Sequence, residues 1–505
     1  MRSPYPSAPI LRTHELTFHD VMAEQIGHAP WLMLSLAIHL VAVLLLWLVP
    51  AELPRVEATV ASVVLPPPQV DIEEQLPPPE VVEPEPIDPE QVVELAEPTT
   101  EPTPDAFDPS DIDYAVDAVS DTLDSLASHT NVGLGGGPPA RYRGRGPKGG
   151  RRGGIPGQPN VEAALHWLRD HQDVDGRWDC DGFMKHDVAG AACDGAGNPL
   201  HDVGVTGLAL LAFLGDGTTL RAGPYRENVR SGVEWLRSQQ NPDTGCLGSL
   251  SSQQSIYDHA IATLALCEAQ GLSRYRTLKP TAQQAIDYLG AHRNPYGAWR
   301  YQPRSGDNDM SVTGWALMAL VAAHEFGLTV DPRALADIDA YIDGMTDESG
   351  RVGYAQRGGA SSRHAGRHEL AFPADRNECM TGVGLLCKAL LEHDPRRDPL
   401  MQRQLQVLMR KKPVWLVDAK GSSIDFYAWY YGSYAVYQAG EPHWSEWSRA
   451  LTDAVVKRQR TDANYKGSWD PVDAWGEDGG RVYATAILAL SLQAYYRYGR
   501  VIGGR

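Results

Sequence analysis

Six apolar segments of this chain share one register, and that internal repeat limits the fold more than any other feature. They read Thr206-Gly-Leu-Ala-Leu, His259-Ala-Ile-Ala-Thr, Thr313-Gly-Trp-Ala-Leu, Thr381-Gly-Val-Gly-Leu, Tyr427-Ala-Trp-Tyr-Tyr and Tyr483-Ala-Thr-Ala-Ile. The second position is small each time: Gly207, Ala260, Gly314, Gly382, Ala428 and Ala484. Most of these segments are apolar around much of their circumference, as buried helices are. Each follows a more amphipathic segment, beginning near Val161, Arg226, Thr281, Pro332, Leu400 and Trp444, in which apolar residues recur at helical spacing. Asn160 is the expected N-cap of the first.

Repeats of this length are supersecondary units that bury their apolar faces only against neighbours. Six pairs of one buried and one half-exposed helix predict an all-α domain over residues 158–500 with an inner and an outer ring, and by analogy with helical-pair toroids, which commonly close at six, an (α/α)6 toroid is expected. An open solenoid of the same pairs is the alternative.

Ahead of the repeats, residues 31–49 read WLMLSLAIHLVAVLLLWLV, without formal charge and with Trp31 and Trp47 near the ends. Such a run is long enough to cross a hydrocarbon core of about 30 Å, and Trp favours the interface. The expectation is a single transmembrane helix after a cytoplasmic segment of residues 1–30. A cleaved signal peptide is the alternative. Arg2 and Arg12 precede the span, so the positive-inside bias puts the N-terminus in the cytoplasm and the C-terminal domain in the periplasm or its equivalent.

Charge bears on the next stretch alone. Residues 51–125 hold 20 Asp and Glu against the single Arg55, which accounts for the whole formal charge of −19. The acidity belongs to a linker and gives no reason to expect a nucleic-acid partner. Pro and like charges predict a disordered, extended spacer. Arg141, Arg143, Arg145, Lys148, Arg151 and Arg152 then lie in a Gly-rich stretch. These read as a solvated tether or as a clasp on an anionic lipid, polymer or the acidic linker. The linker as a whole runs over residues 50–157. A hydrophobic span followed by an acidic Pro-rich stalk resembles the N-terminal part of TonB-type periplasm-spanning proteins.

A second repeat lies between paired helices. Gln172-x3-Gly176-x-Trp178 has partial copies at Gly297-Ala-Trp299 and at Gln459 with Gly467-Ser-Trp469. The glycine permits a left-handed turn after the outer helix, and the Trp can cover that helix end. This pattern resembles the Gln–Trp motif of squalene–hopene cyclases. With the six pairs it resembles the prenyltransferase and squalene-cyclase repeat superfamily over residues 158–500. Segments 310–320, 425–440 and 479–492 are most similar to bacterial membrane-anchored members, a resemblance that implies no particular activity.

The superfamily's catalytic patterns are altered here. Class II terpene cyclases protonate an alkene with the middle Asp of Asp-x-Asp-Asp-Thr-Ala; the comparable stretch is Asp307-Asn308-Asp309-Met310-Ser311-Val312. Asp307 and Asp309 are thus the catalytic candidates the resemblance implies, although capping of the inner helix explains Asp309 equally well. Zinc prenyltransferases place an Asp two residues before a Cys, whereas Asn377-Glu378-Cys379 does not, so neither a metal nor another cofactor is expected. The Cys-Gly-Glu-Gln motif of thioester domains is absent at Cys246.

Glycan-cleaving toroids need paired carboxylates and aromatic platforms. The inner-helix starts offer Asp202, Asp258, Asp309, Glu378 and Asp425, with His259, Trp315, Tyr427, Trp429 and Tyr483 beside them and Arg481 in reach. Cys180 and Cys193, in one polar insertion, are candidates for a disulfide; metal binding with Asp179, Asp181, Asp194 and His186 is the alternative. The expected function is a membrane-anchored module that binds a lipid, glycan or protein. The alternatives are an isoprenoid-processing enzyme using Asp309 as acid, and a glycan hydrolase or lyase.

Overall fold

The computed structural model describes residues 140–142 and 157–499, apart from positions 189, 191, 250–254 and 296, together with His39. The expected span at 31–49, apart from His39, and nearly all of the linker lie outside the described residues. No helix among the described residues is long and apolar enough to cross a membrane.

In chain order the helices of the first three pairs are α1 (Gln158–Asp170), α2 (Asp202–Gly215), α3 (Arg226–Ser238), α4 (Ser255–Ser273), α5 (Lys279–His292) and α6 (Met310–Glu325). There follow α7 (Pro332–Met345), the short α8 (Arg367–Ala371), α9 (Cys379–Leu390), α10 (Pro399–Met409), α11 (Phe426–Ala439), α12 (His443–Val455), α13 (Gly476–Leu492) and α14 (Ala494–Arg497). A two-residue hairpin, β1 (Val417–Asp418) against β2 (Gly421–Ser422), interrupts the fifth pair.

The helices α2, α4, α6, α9, α11 and α13 form the inner ring. Each packs on the next, and α13 returns to α2. Each outer helix bridges two inner ones; α1 lies on both α13 and α2. The ring is closed, and the solenoid alternative is excluded. The division of labour follows from composition. Nearly every residue of α2 is buried, while α1 buries the single face of Val161, Ala164, Leu165, Trp167 and Leu168. Burying side chains of this size contributes roughly 1.5–3 kcal/mol each, so the inner ring carries most of the hydrophobic stabilisation. The small second position marks the closest approach of inner helices. A Cβ on Gly314 would stand 2.5 Å from Val383 Cγ1, and one on Gly207 3.0 Å from the Ala262 nitrogen.

The Gln–Trp loops are staples between pairs. Trp178 Nε1 donates to the Leu168 carbonyl at 2.7 Å, Trp299 Nε1 to Leu289 at 2.9 Å and Trp469 Nε1 to Val455 at 2.9 Å, each covering the end of an outer helix. The Trp178 amide donates to Thr206 Oγ1 on the next inner helix, and the Trp299 and Trp469 amides do so to Thr313 and Thr485. The glutamine reaches sideways: Gln172 Nε2 to the Asn228 carbonyl of α3, and Gln459 Nε2 to the Asn160 carbonyl of α1. The last staple therefore joins the sixth pair to the first. It also explains why Asn160 is not an N-cap. Gly157 takes that place, at φ 94°, while Asn160 Nδ2 donates to Gln459 Oε1 at 2.7 Å.

The floor of the barrel, at the inner-helix C-termini, is polar and sealed. Arg497 pairs with Glu268 at 2.8 Å and donates to the Leu211 carbonyl, and Tyr498 Oη donates to Glu268 at 2.6 Å. Arg141, expected in a solvated tether, is buried here instead. It pairs with Glu325 at 2.5 Å and donates to the Leu390 carbonyl, and Tyr142 packs on Phe326 and Tyr498.

Candidate ligand cavity at the inner-helix starts

At the opposite end, the first turns of the inner helices line a half-open cavity of about 210 Å3. Its walls are rings and aliphatic groups, chiefly Tyr257, Trp315, Tyr427, Trp475 and Tyr483, with Leu208, Ile261 and Ile487 among them. The rings hold one another. Trp315 stacks on Tyr430 at 5.5 Å, and Tyr427 meets Tyr431 edge-on at 5.0 Å. Residues 361–364, from the long connection between α7 and α9, complete the wall.

A polar edge interrupts the apolar wall, made of His201 and Asp258 together with Arg363, His364 and Asp478. His201 Nδ1 lies 3.1 Å from both carboxylate oxygens of Asp258, and both residues line the cavity. Burial disfavours an imidazolium at His201, but the hydrogen bond and charge of Asp258 outweigh it and raise its pKa. Burial likewise raises Asp258, with His201 partly offsetting it. Nδ1 is the ring nitrogen that meets Asp258, so the carboxylate orients the imidazole. His201 stands at the end of a 3-10 turn, Pro199–His201, capped by Asn198.

The overlying connection is pinned from within. Arg363 Nη2 lies 2.7 Å from Asp425 Oδ2, with both side chains almost fully buried, and its guanidinium sits 5.5 Å from the Trp475 ring. Asn377 Nδ2 donates to the same Asp425 oxygen. Asp473 Oδ2 accepts from the Phe426 amide at 3.0 Å and from Tyr483 Oη at 3.1 Å. Burial, with the Asp425 charge nearby, pushes Asp473 up to about 8, so it is a neutral acid at pH 7.

Of the residues singled out from the sequence, Asp258, Trp315, Tyr427 and Tyr483 line the cavity. The others serve elsewhere. Asp309 is buried beneath Tyr354. Its Oδ1 accepts from the Val312 amide as the N-cap of α6, and its Oδ2 accepts from Tyr354 Oη at 3.1 Å. Burial raises it to about 6. Asp307 is largely exposed and pairs with Arg300 at 2.7 Å. Asp202 pairs with Arg177 at 3.0 Å, and Glu378 with Arg351 at 3.0 Å. His259 Nδ1 accepts from the Leu247 amide and its Nε2 donates to the Ala285 carbonyl; burial lowers it to about 3, a neutral core imidazole. Trp429 packs between Trp415 and Phe426. Arg481 is buried against Asp194 and Ser468, holding the insertion rather than reaching the cavity.

Cys180 and Cys193 are free thiols, not a disulfide. Cys180 Sγ donates to the Gly479 carbonyl at 3.3 Å, whereas Cys193 sits beside Asp187. Neither Cys180, Asp179, Asp181, Asp194 nor His186 joins Cys193 in a ligand-like cluster among the described residues. Sequence reasoning missed His201, Arg363, Trp475 and Asp473. His201 directly precedes the Asp202 helix start, which was the available signal; Arg363 lies in a connection with no periodicity.

Comparison with known protein families finds no match, and no curated protein matches. Solved structures similar to this chain include an unsaturated glucuronyl hydrolase from Bacillus (14% identity, 68% of this chain and 99% of that one, TM-score 0.46). An alpha-1,6-mannanase from Salegentibacter is similar at 11% identity, over 67% of this chain and 98% of that one, with a TM-score of 0.45. A type II terpene cyclase from Scytonema is similar at 15% identity, over 67% and 96%, with a TM-score of 0.43.

Proposed function

We propose that the toroid is a ligand-binding module, held outside the cytoplasmic membrane by residues 31–49. Its ligand is predominantly apolar, or is the apolar end of a longer molecule such as a lipid, with a polar group. The observation that carries this reading is the cavity itself: aromatic and aliphatic walls interrupted by a polar edge that includes His201 and Asp258. Few, well-placed polar groups in an apolar pocket orient a ligand.

The enzymatic alternatives have less support. Asp309 lies behind Tyr354 and caps a helix, which leaves no acid at the cavity wall in the place a terpene cyclase needs one. Glycan cleavage calls for two carboxylates free to exchange protons with substrate. Asp202, Asp258, Glu378 and Asp425 are each held by a basic residue. A second reading rests on the His201–Asp258 dyad: a carboxylate-oriented imidazole on a cavity wall can act as a general base.

Mass spectrometry of material extracted from purified full-length protein tests the main reading. An apolar molecule should be retained, and His201→Gln together with Trp475→Ala should reduce its recovery. Repeated preparations with an empty cavity and no uptake of fluorescent fatty-acid probes would sink it.

A further inference from the structure

Away from the cavity, the insertion between α1 and α2 folds back on the end of α1 and places three chemically different ligands together. A ring nitrogen of His171, a carboxylate oxygen of Asp187 and Cys193 Sγ all lie within 4.8 Å of one another. His171 and Cys193 are buried, and the Asp187 side chain is nearly so.

Two of the three ligands are oriented by something behind them. His171 Nδ1 is 2.8 Å from the Trp167 carbonyl. A carbonyl can only accept, so Nδ1 carries a hydrogen and, in a neutral ring, Nε2 presents its lone pair. That lone pair faces Asp187 Oδ1 at 3.2 Å, itself an acceptor. The other carboxylate oxygen is fixed by the Cys193 amide at 2.6 Å. Trp167 stacks on the imidazole at 4.0 Å and Phe183 meets it edge-on, a dry apolar backing.

Two acceptors facing each other need a cation or a proton between them. The separation suits a cation: nitrogen and oxygen ligands about 2.0–2.1 Å from a tetrahedral zinc stand about 3.3 Å apart. A metal-bound imidazole whose second nitrogen donates to a carbonyl is the usual supporting arrangement. The ligand types also select: imidazole, carboxylate and thiolate together suit zinc or cobalt(II) and not calcium or magnesium. By contrast, in the acidic trio Asp179, Asp181 and Asp202, Asp179 is paired with Arg177 and Lys185 and Asp202 with Arg177.

We propose that His171, Asp187 and Cys193 form a site for a zinc-class divalent metal, with water as fourth ligand. Binding releases the Cys193 thiol proton to solvent and joins the metal to the thiolate. The metal is a clip on the cavity wall. Beyond Cys193 the chain runs through Gly197, whose amide donates to the Cys180 carbonyl, and Asn198, whose amide donates to the Asp478 carbonyl, and ends at His201. The clip therefore anchors the segment that carries the polar edge of the cavity.

The full-length protein, stripped with chelator and titrated with cobalt(II), should take up one equivalent and develop a thiolate-to-cobalt charge-transfer band. Cys193→Ala should abolish the band, while Cys180→Ala should leave it unchanged. X-ray absorption of the zinc-loaded wild type needs no variant and should show one sulfur at about 2.3 Å with nitrogen and oxygen neighbours. Failure to bind one equivalent, a zinc shell without sulfur, or a band that survives Cys193→Ala would overturn the proposal. In that case His171 and Asp187 are a proton-bridged pair.

Discussion

Arg497 Nη2 and Glu268 Oε2 meet at 2.8 Å on the floor of the barrel, and neither side chain touches solvent. A buried pair of this kind is weak evidence of net stabilisation, but losing one member leaves a buried charge alone. Glu268→Leu or Arg497→Met alone should therefore lower stability by about 3–5 kcal/mol. The double change Arg497→Met with Glu268→Leu should recover much of that loss. Urea denaturation of the four proteins measures the cycle; equal losses in single and double variants would refute it.

The seam between the sixth pair and the first rests on a glycine. Gly467 has φ 99°, and a Cβ there would stand 2.2 Å from the Ala163 carbonyl oxygen. Gly467→Ala should cost at least about 1 kcal/mol, since the backbone is incompatible with a side chain. Gly290 offers the opposite case. It is helical and exposed, with nothing within 4 Å of its would-be Cβ, and Gly290→Ala should stabilise by about 0.5–1 kcal/mol. Thermal melts that move in one direction for both would contradict this account.

Asp473 sets a pH dependence. Its folded pKa of about 8 lies above the ordinary 3.8, so between these values the folded state holds a proton that the unfolded state has lost. Stability then falls as pH rises. The contribution is fully present below about pH 4 and is lost as pH passes through about 8. Asp473→Asn should flatten the decline between pH 6 and 9 in melts against pH. An unchanged profile would count against the neutral acid.

Arg363 holds the connection over the cavity through Asp425. Arg363→Ala strands a buried carboxylate and removes the donors to Phe372 and Ser362. Hydrogen exchange across residues 346–378 should rise and limited proteolysis there should quicken. Arg363→Lys should not restore protection, because Lys lacks the planar fork. Protection equal to wild type would show that the aromatic contacts suffice.

The rings were readable in the sequence because their signal is local. Inner helices are apolar all round, outer ones on one face, and both patterns lie within a dozen residues. The staples were half readable. Where Trp was kept, at 178, 299 and 469, the motif stood out. Leu247 and Val352 occupy the same place, their amides bonded to His259 and Thr381, but a main-chain donor leaves no mark on residue choice. The cavity's polar edge was hidden for another reason. His201 meets Asp258 across 57 positions and Arg363 meets Asp425 across 62, and only the closed ring brings them together. The carboxylates at the helix starts were found by register, yet their arginine partners decide what they can do.

The bridge from Gln459 to Asn160 removes any first or last repeat. An open stack of helix pairs can lengthen by duplication and can fray from its ends. This one has no terminus to fray and no room for a seventh pair. Its sequence can diversify only residue by residue and loop by loop, and a cut in any exposed connection, with the old ends joined, would yield a circular permutant of the same ring.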